Sequence, residues 1–166
     1  MKTNLLFFLV LMLLMIVVSN PATAGNANFQ SANLAKPHVS ESTMLRDIPV
    51  GTVFRVERDI AITKEWIAYF QRGDQVNFDE MNKRGRYCEF LIDSAATSGK
   101  TFVPKGADLE VAAVVPNSDF VSIDFAKNSP IKSFDCGSSL FGGDDLNFTV
   151  KDLTDISGAA LRPIAL

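Results

Sequence analysis

Histidine is almost missing from this chain: His38 is the only one in 166 residues. That removes the usual general base. A Ser-His-Asp or Cys-His centre would need His38 brought onto the folded part, and no G-x-S-x-G turn is present to carry the serine. Cysteine is equally scarce, with Cys88 and Cys136 alone. Three Cys and His residues scattered this widely do not make the close spacing that zinc requires, so no metal is assigned. Positive charge is sparse as well. Nineteen acidic residues outnumber sixteen basic ones, and "KRGR" at 83–86 is the only basic cluster. It carries Gly85 between two strand-like runs and reads as a solvated turn, so no nucleic-acid surface is expected. No apolar run reaches the roughly 20 residues of a spanning helix.

The longest such run, Leu5–Val18, has instead the features of a secretory leader. Lys2 precedes it, Pro21 follows, and Ala22 and Ala24 form a small-x-small cleavage site, so residues 1–24 are expected to be a signal peptide removed after Ala24. No cysteine near that site is available for a lipid. The mature chain is then periplasmic or secreted and not membrane-embedded. It keeps about 140 residues, the size of one ordinary domain, and is one charge more negative than the full chain's −3. Export also places Cys88 and Cys136 where disulfides persist, and they are expected to pair.

Residues 25–45 are rich in Asn, Ser and Ala without apolar periodicity and read as a flexible N-terminal arm. A single β domain is expected over 46–166. Short apolar runs there are broken by Gly, Pro and Asn-Ser, giving candidate strands at 52–58, 66–72, 75–78, 86–93, 107–115, 119–125, 131–136 and 161–164. Turns are expected at 72–75 and 116–119. One short helix is expected near the C-terminus. Thr149 can cap it, Asp152 falls three residues on, Val150, Leu153 and Ile156 share a face, and Gly158 can end it. The fold class is therefore mainly β, a sandwich or small barrel with one short C-terminal helix. "IPVGTVFRV" (48–56) and "VPKGADLEV" (103–111) echo each other, through either a shared strand-entry turn or a duplicated half-domain.

The stretch "SAATSGKT" at 94–101 imitates a phosphate-binding loop and follows a good strand. A phosphate loop needs a helix after its Lys-Thr, and Pro104 and Gly106 forbid one. Lys100 and Thr101 are expected to be surface residues. The adjacent carboxylates Asp79-Glu80 and Asp144-Asp145 could in principle support acid hydrolysis, but acidic loops that solvate strand ends have the same composition. "GGDDLN" at 142–147 lacks the alternating ligands of a calcium loop. No cofactor is assigned.

A Gln-x-Gly turn at Gln71–Gly73, a Tyr-Cys-x-Phe strand at Tyr87–Phe90, a Pro-x-Gly strand entry, the second cysteine and a closing Thr-Val-x-x-Leu helix together resemble small exported proteobacterial proteins of uncharacterised function, over residues 48–164. The resemblance implies a secreted β domain and no catalytic residues. A non-catalytic domain that binds a protein or an envelope component follows from these readings. A hydrolase using acidic residues and a carrier of a small ligand are the alternatives. In "EWIAYFQ", strand alternation separates Trp66, Ala68 and Phe70 from Ile67, Tyr69 and Gln71. Apolar bulk on both faces means that Ile67 and Tyr69 either lie under the C-terminal helix, which the sequence favours, or form a partner-binding patch with Tyr69 as its anchor.

Overall fold

The protein's structure is a computed structural model that describes residues 39–117, 120–140 and 147–164. The leader 1–24, the arm through His38 and the Asp144-Asp145 pair lie outside the described residues. The strands are β1 (Val53–Val56), β2 (Ile60–Ala61), β3 (Ile67–Gln71), β4 (Asp74–Val76), β5 (Tyr87–Ile92), β6 (Phe102–Val103), β7 (Asp108–Pro116), β8 (Val121–Phe125), β9 (Ile131–Gly137) and β10 (Leu161–Ile164). Among the described residues there is one α-helix, α1 (Val150–Ser157), which precedes β10, and a short 3-10 turn at Leu45–Asp47. Eight strands form a single antiparallel sheet in the order β10-β1-β7-β8-β9-β5-β3-β4, and β2 pairs separately with β6. The chain is mainly β, and the sheet curls into a half-barrel.

Alternation along each strand sends one set of side chains to the concave side. Phe54, Phe70, Phe90 and Phe134 are fully buried there. Their rings form a chain, with centroids 4.6 Å apart for Phe70–Phe90, 5.9 Å for Phe90–Phe134 and 5.8 Å for Phe134–Phe54. Extra residues interrupt the ladder at Ala112 on β7, opposite β8, and at Lys132 on β9, opposite β5. Such bulges bend a strand and increase its twist, which is what curls the sheet.

Helix α1 forms as its sequence dictates. The Thr149 side chain accepts from the Asp152 N–H while Asp152 accepts from the Thr149 N–H, and Gly158 ends the helix in the left-handed region. Val150, Leu153 and Ile156 join the same buried cluster as the four phenylalanines. The helix touches β10 at one edge of the sheet and β3 and β4 at the other, so it plugs the open side of the curl. At the 72–75 turn both Arg72 (φ 55°) and Gly73 (φ 91°) are left-handed, as a two-residue hairpin between twisted strands demands. At 116–119, Asn117 N–H donates to Phe120 C=O, and residues 118–119 lie outside the described ones.

The sequence reading shifts in two places. Residues 41–45, placed in the arm, are fastened to the domain: Leu45 N–H donates to Phe148 C=O, Val150 N–H to Thr43 C=O, and Lys151 N–H to Glu41 C=O. Leu45 is fully buried, because the core needs its side chain. Trp66, placed in a strand, instead takes φ 61° just before β3, though its side chain still packs against the core alongside Ala68 and Phe70.

The two echoing segments lie side by side as β1 and β7, with Phe54 opposite Leu109. Gly51 N–H donates to Val111 C=O at 2.8 Å, and Gly106 N–H to Val56 C=O at 2.7 Å. Val111 N–H donates to Thr52 C=O, and Val56 N–H to Ala107 C=O. Each bond has its counterpart under a local two-fold axis through the Phe54–Leu109 pair. Past these strands the symmetry ends, since β7 turns directly into β8 whereas β1 leads to the separate strand β2. Among the described residues the echo is thus confined to these two strands and their entry turns.

Candidate functional site

Cys88 and Cys136 form a disulfide, directly opposite one another on β5 and β9 with Cα atoms 4.1 Å apart. Both are fully buried on the concave side, so the bond clamps two neighbouring central strands. It is structural. On the concave side the four phenylalanines and the apolar stripe of α1 belong to one buried cluster.

Ile67 and Tyr69 sit on the other face of β3. The favoured expectation that the C-terminal helix covers them is not met: α1 shares its cluster with Ala68 and Phe70, and one residue of alternation puts Ile67 and Tyr69 outside. They line a groove of about 1160 Å³ between the segment Ala61–Glu65 and the hairpin residues 75–80. Three local devices build it. The Gln75 carboxamide accepts from Ala61 N–H at 3.0 Å and donates to Ala61 C=O at 2.8 Å, tying β2 beside β4 as a strand partner would. Thr63 Oγ1 donates to Ile67 C=O at 2.8 Å and closes the turn that holds Trp66 left-handed. Buried Gln71 donates to the carbonyls of Asn82 and Arg86 and accepts from Asn82 N–H, which fixes the loop after β4.

Aromatic rings form one wall. Phe78 is 43% exposed, and its ring lies 5.3 Å from that of Tyr69. Lys83 Nζ stands 4.7 Å from the Phe78 ring centre. Carboxylates dominate the rim: Glu65, Asp79 and Glu80 line the groove against one cation, Lys64. Burial raises the Tyr69 phenol above its usual range, and the charges of Glu89 and Glu65 raise it further.

Glu89 continues this negative field across the convex face. It lies opposite Tyr69 on one side and Asp135 on the other, and Asp135 lies opposite Ser122. Burial, then the neighbouring Asp135, raises the Glu89 carboxyl. Burial also raises Asp135, the hydrogen-bonded Ser122 hydroxyl pulls it down, and Asp124 raises it again. Asp135 Oδ1 is buried and meets no donor among the described residues. The sequence reading missed this pair, although a signal was available. If Cys88 and Cys136 are directly opposed in an antiparallel pair, the next residues inward, Glu89 and Asp135, must oppose each other too.

The remaining candidates serve as local structure. At 94–101 the loop N–H groups turn inward: those of Ala95 and Ala96 donate to Asp93 Oδ1, and those of Thr97 and Lys100 to Asp93 C=O and Thr97 C=O. Strand β6 follows instead of a helix, so the loop is no phosphate cradle. In the basic cluster, Arg86 pairs with Asp152 at 2.9 Å and lies over the Phe148 ring at 4.3 Å. Among the described residues, no group of Asp, Glu, His or Cys is arranged to hold a metal, and no helix is long and apolar enough to cross a membrane. No family model, curated protein or solved structure matches the chain.

Proposed function

We propose that this is an exported, non-catalytic binding domain, periplasmic or secreted, whose working surface is the groove floored by Ile67 and Tyr69. The observation that carries the reading is an aromatic wall left open on the convex face of a sheet whose concave face is already filled. Apolar surface of this kind, rimmed by polar side chains, is characteristic of interaction sites. The buried disulfide supports an oxidising compartment. For the hydrolase alternative, the adjacent carboxylates Asp79-Glu80 line the groove together with Glu65, whereas Glu89 and Asp135, the carboxyl groups raised by burial, lie outside it. The open aromatic wall is the feature that favours binding.

A photo-crosslinking side chain placed at Phe78 in living cells tests the reading. A discrete adduct is expected from this position, none from Val50, which is 66% exposed and outside the groove. Adding Tyr69→Ser should abolish the adduct while changing stability by no more than about 1 kcal/mol, as for a surface site. Equal adducts from both positions, or loss of folding in Tyr69→Ser, would contradict a binding role for this face.

A further inference from the structure

We propose that the groove receives an extended basic segment of another protein, with its cationic side chains laid over the Tyr69 and Phe78 rings between Glu65 and Asp79. The proposal rests on the groove being the binding site and adds the chemistry of its occupant. Charge complementarity gives the sign, since the lining carries Glu65, Asp79 and Glu80 against Lys64 alone. Beyond the lining, Glu89 and Asp135 extend the negative field across the next two strands. Arg and Lys side chains gain most where an aromatic face and a carboxylate meet. Lys83 of the chain itself lies over one face of Phe78, so an incoming cation must take the other face of that ring, or the Tyr69 ring, or displace Lys83.

Size and edge chemistry give the form of the occupant. Small-ligand pockets run from about 300 to 1,000 Å³, and an open groove of about 1160 Å³ suits a length of chain better. An added β-strand would need the outer backbone edge of β4. Beside that edge the Gln75 carboxamide holds β2 through the N–H and C=O of Ala61, so an incoming strand would have to share the space with β2. Recognition therefore proceeds through side chains laid along the groove.

The test is fluorescence anisotropy on the intact disulfide-bonded protein, with two labelled decapeptides, one alternating Arg and Thr, the other Glu and Thr. The basic peptide is expected to bind at least tenfold more tightly. Phe78→Ser, and separately the pair Glu65→Gln with Asp79→Asn, should each weaken it at least fivefold, and Val50→Ser should leave it unchanged. The neutralised pair leaves the aromatic packing alone, so it carries the test even if Phe78→Ser unfolds. Equal binding of both peptides with loss in Phe78→Ser would overturn the basic occupant and keep the groove. Binding indifferent to every groove variant would overturn both readings. Spermine displacing the basic peptide at equal concentration would overturn a protein segment as the occupant.

Discussion

At Gly158 the chain takes φ +60° at the end of α1, and a Cβ built there would overlap the carbonyl oxygen of Gly73. The β3–β4 hairpin is pressed onto the helix end at this point, and Gly73 N–H donates to Ile156 C=O at 2.9 Å. Gly51 has φ +85° but nothing within 4 Å of its missing side chain. Gly51→Ala is therefore expected to cost about 1 kcal/mol, the backbone term alone. Gly158→Ala should cost about 2–4 kcal/mol, since the backbone itself must move. Denaturant titration of the two variants separates them, and equal losses would mean that the contact with Gly73 contributes nothing. Also at this scale, Glu89 and Asp135 have folded-state protonation raised above the unfolded state. Between the two values the native state binds more protons, so stability falls as pH rises. Their favourable contribution is complete below the unfolded carboxyl range, near pH 4, and is lost as pH rises through the elevated folded values. Asp93, Asp108 and Asp152 are shifted downward and act oppositely, losing their contribution as pH falls below the ordinary carboxyl range. Melting temperature should therefore rise on mild acidification from pH 7 and fall again under strong acid. Glu89→Gln should flatten the first slope and raise stability at pH 7, and a melt series from pH 3 to 8 reads both.

Among the elements, α1 depends on its cap more than its length. Eight residues are too few to hold a helix by propensity, so the Thr149–Asp152 box and the buried stripe of Val150, Leu153 and Ile156 must do so. Thr149→Ala should cost about 1 kcal/mol, and Leu153→Ala, at a fully buried position, about 2–5 kcal/mol. Thermal melts of the two variants check the order. This helix was fully legible in the sequence because its cap, stripe and terminating glycine are local. The main strands were legible for the same reason, since a period of two survives in any window. Strands β2 and β6, two residues each, carry no period and were not seen. The groove was half legible. Apolar bulk on both faces of "EWIAYFQ" marked Ile67 and Tyr69, but the opposing wall comes from the 75–80 segment, held by the contact between Gln75 and Ala61 that no spacing rule announces. Helix cover for Tyr69 failed because a helix that must fill a concave sheet cannot also reach its convex side.

For the molecule as a whole, the curled sheet is held by a plug and a clamp. The plug is α1, in contact with both edges of the curl, and the clamp is Cys88–Cys136, joining two central strands. Closing a loop across a sequence separation of 48 removes unfolded-state entropy worth about 4 kcal/mol. Reduction should lower the denaturation midpoint accordingly. A reduced protein with an unchanged midpoint would show that the register of β5 and β9 is set by packing alone. The oxidised protein should keep the groove and its peptide affinity under mild chemical stress that melts the reduced form.

The place of β10 in the sheet bears on how the protein is made. Strand β1, the first among the described residues, has as neighbours β7 and β10, and β10 is the last strand among them. As the polypeptide leaves a ribosome, β1 emerges early and waits, first for residues 108–116 and then for 161–164. Throughout that interval its backbone edge is open to any other extended chain nearby. That edge of the sheet therefore closes only once residues 161–164 have been made.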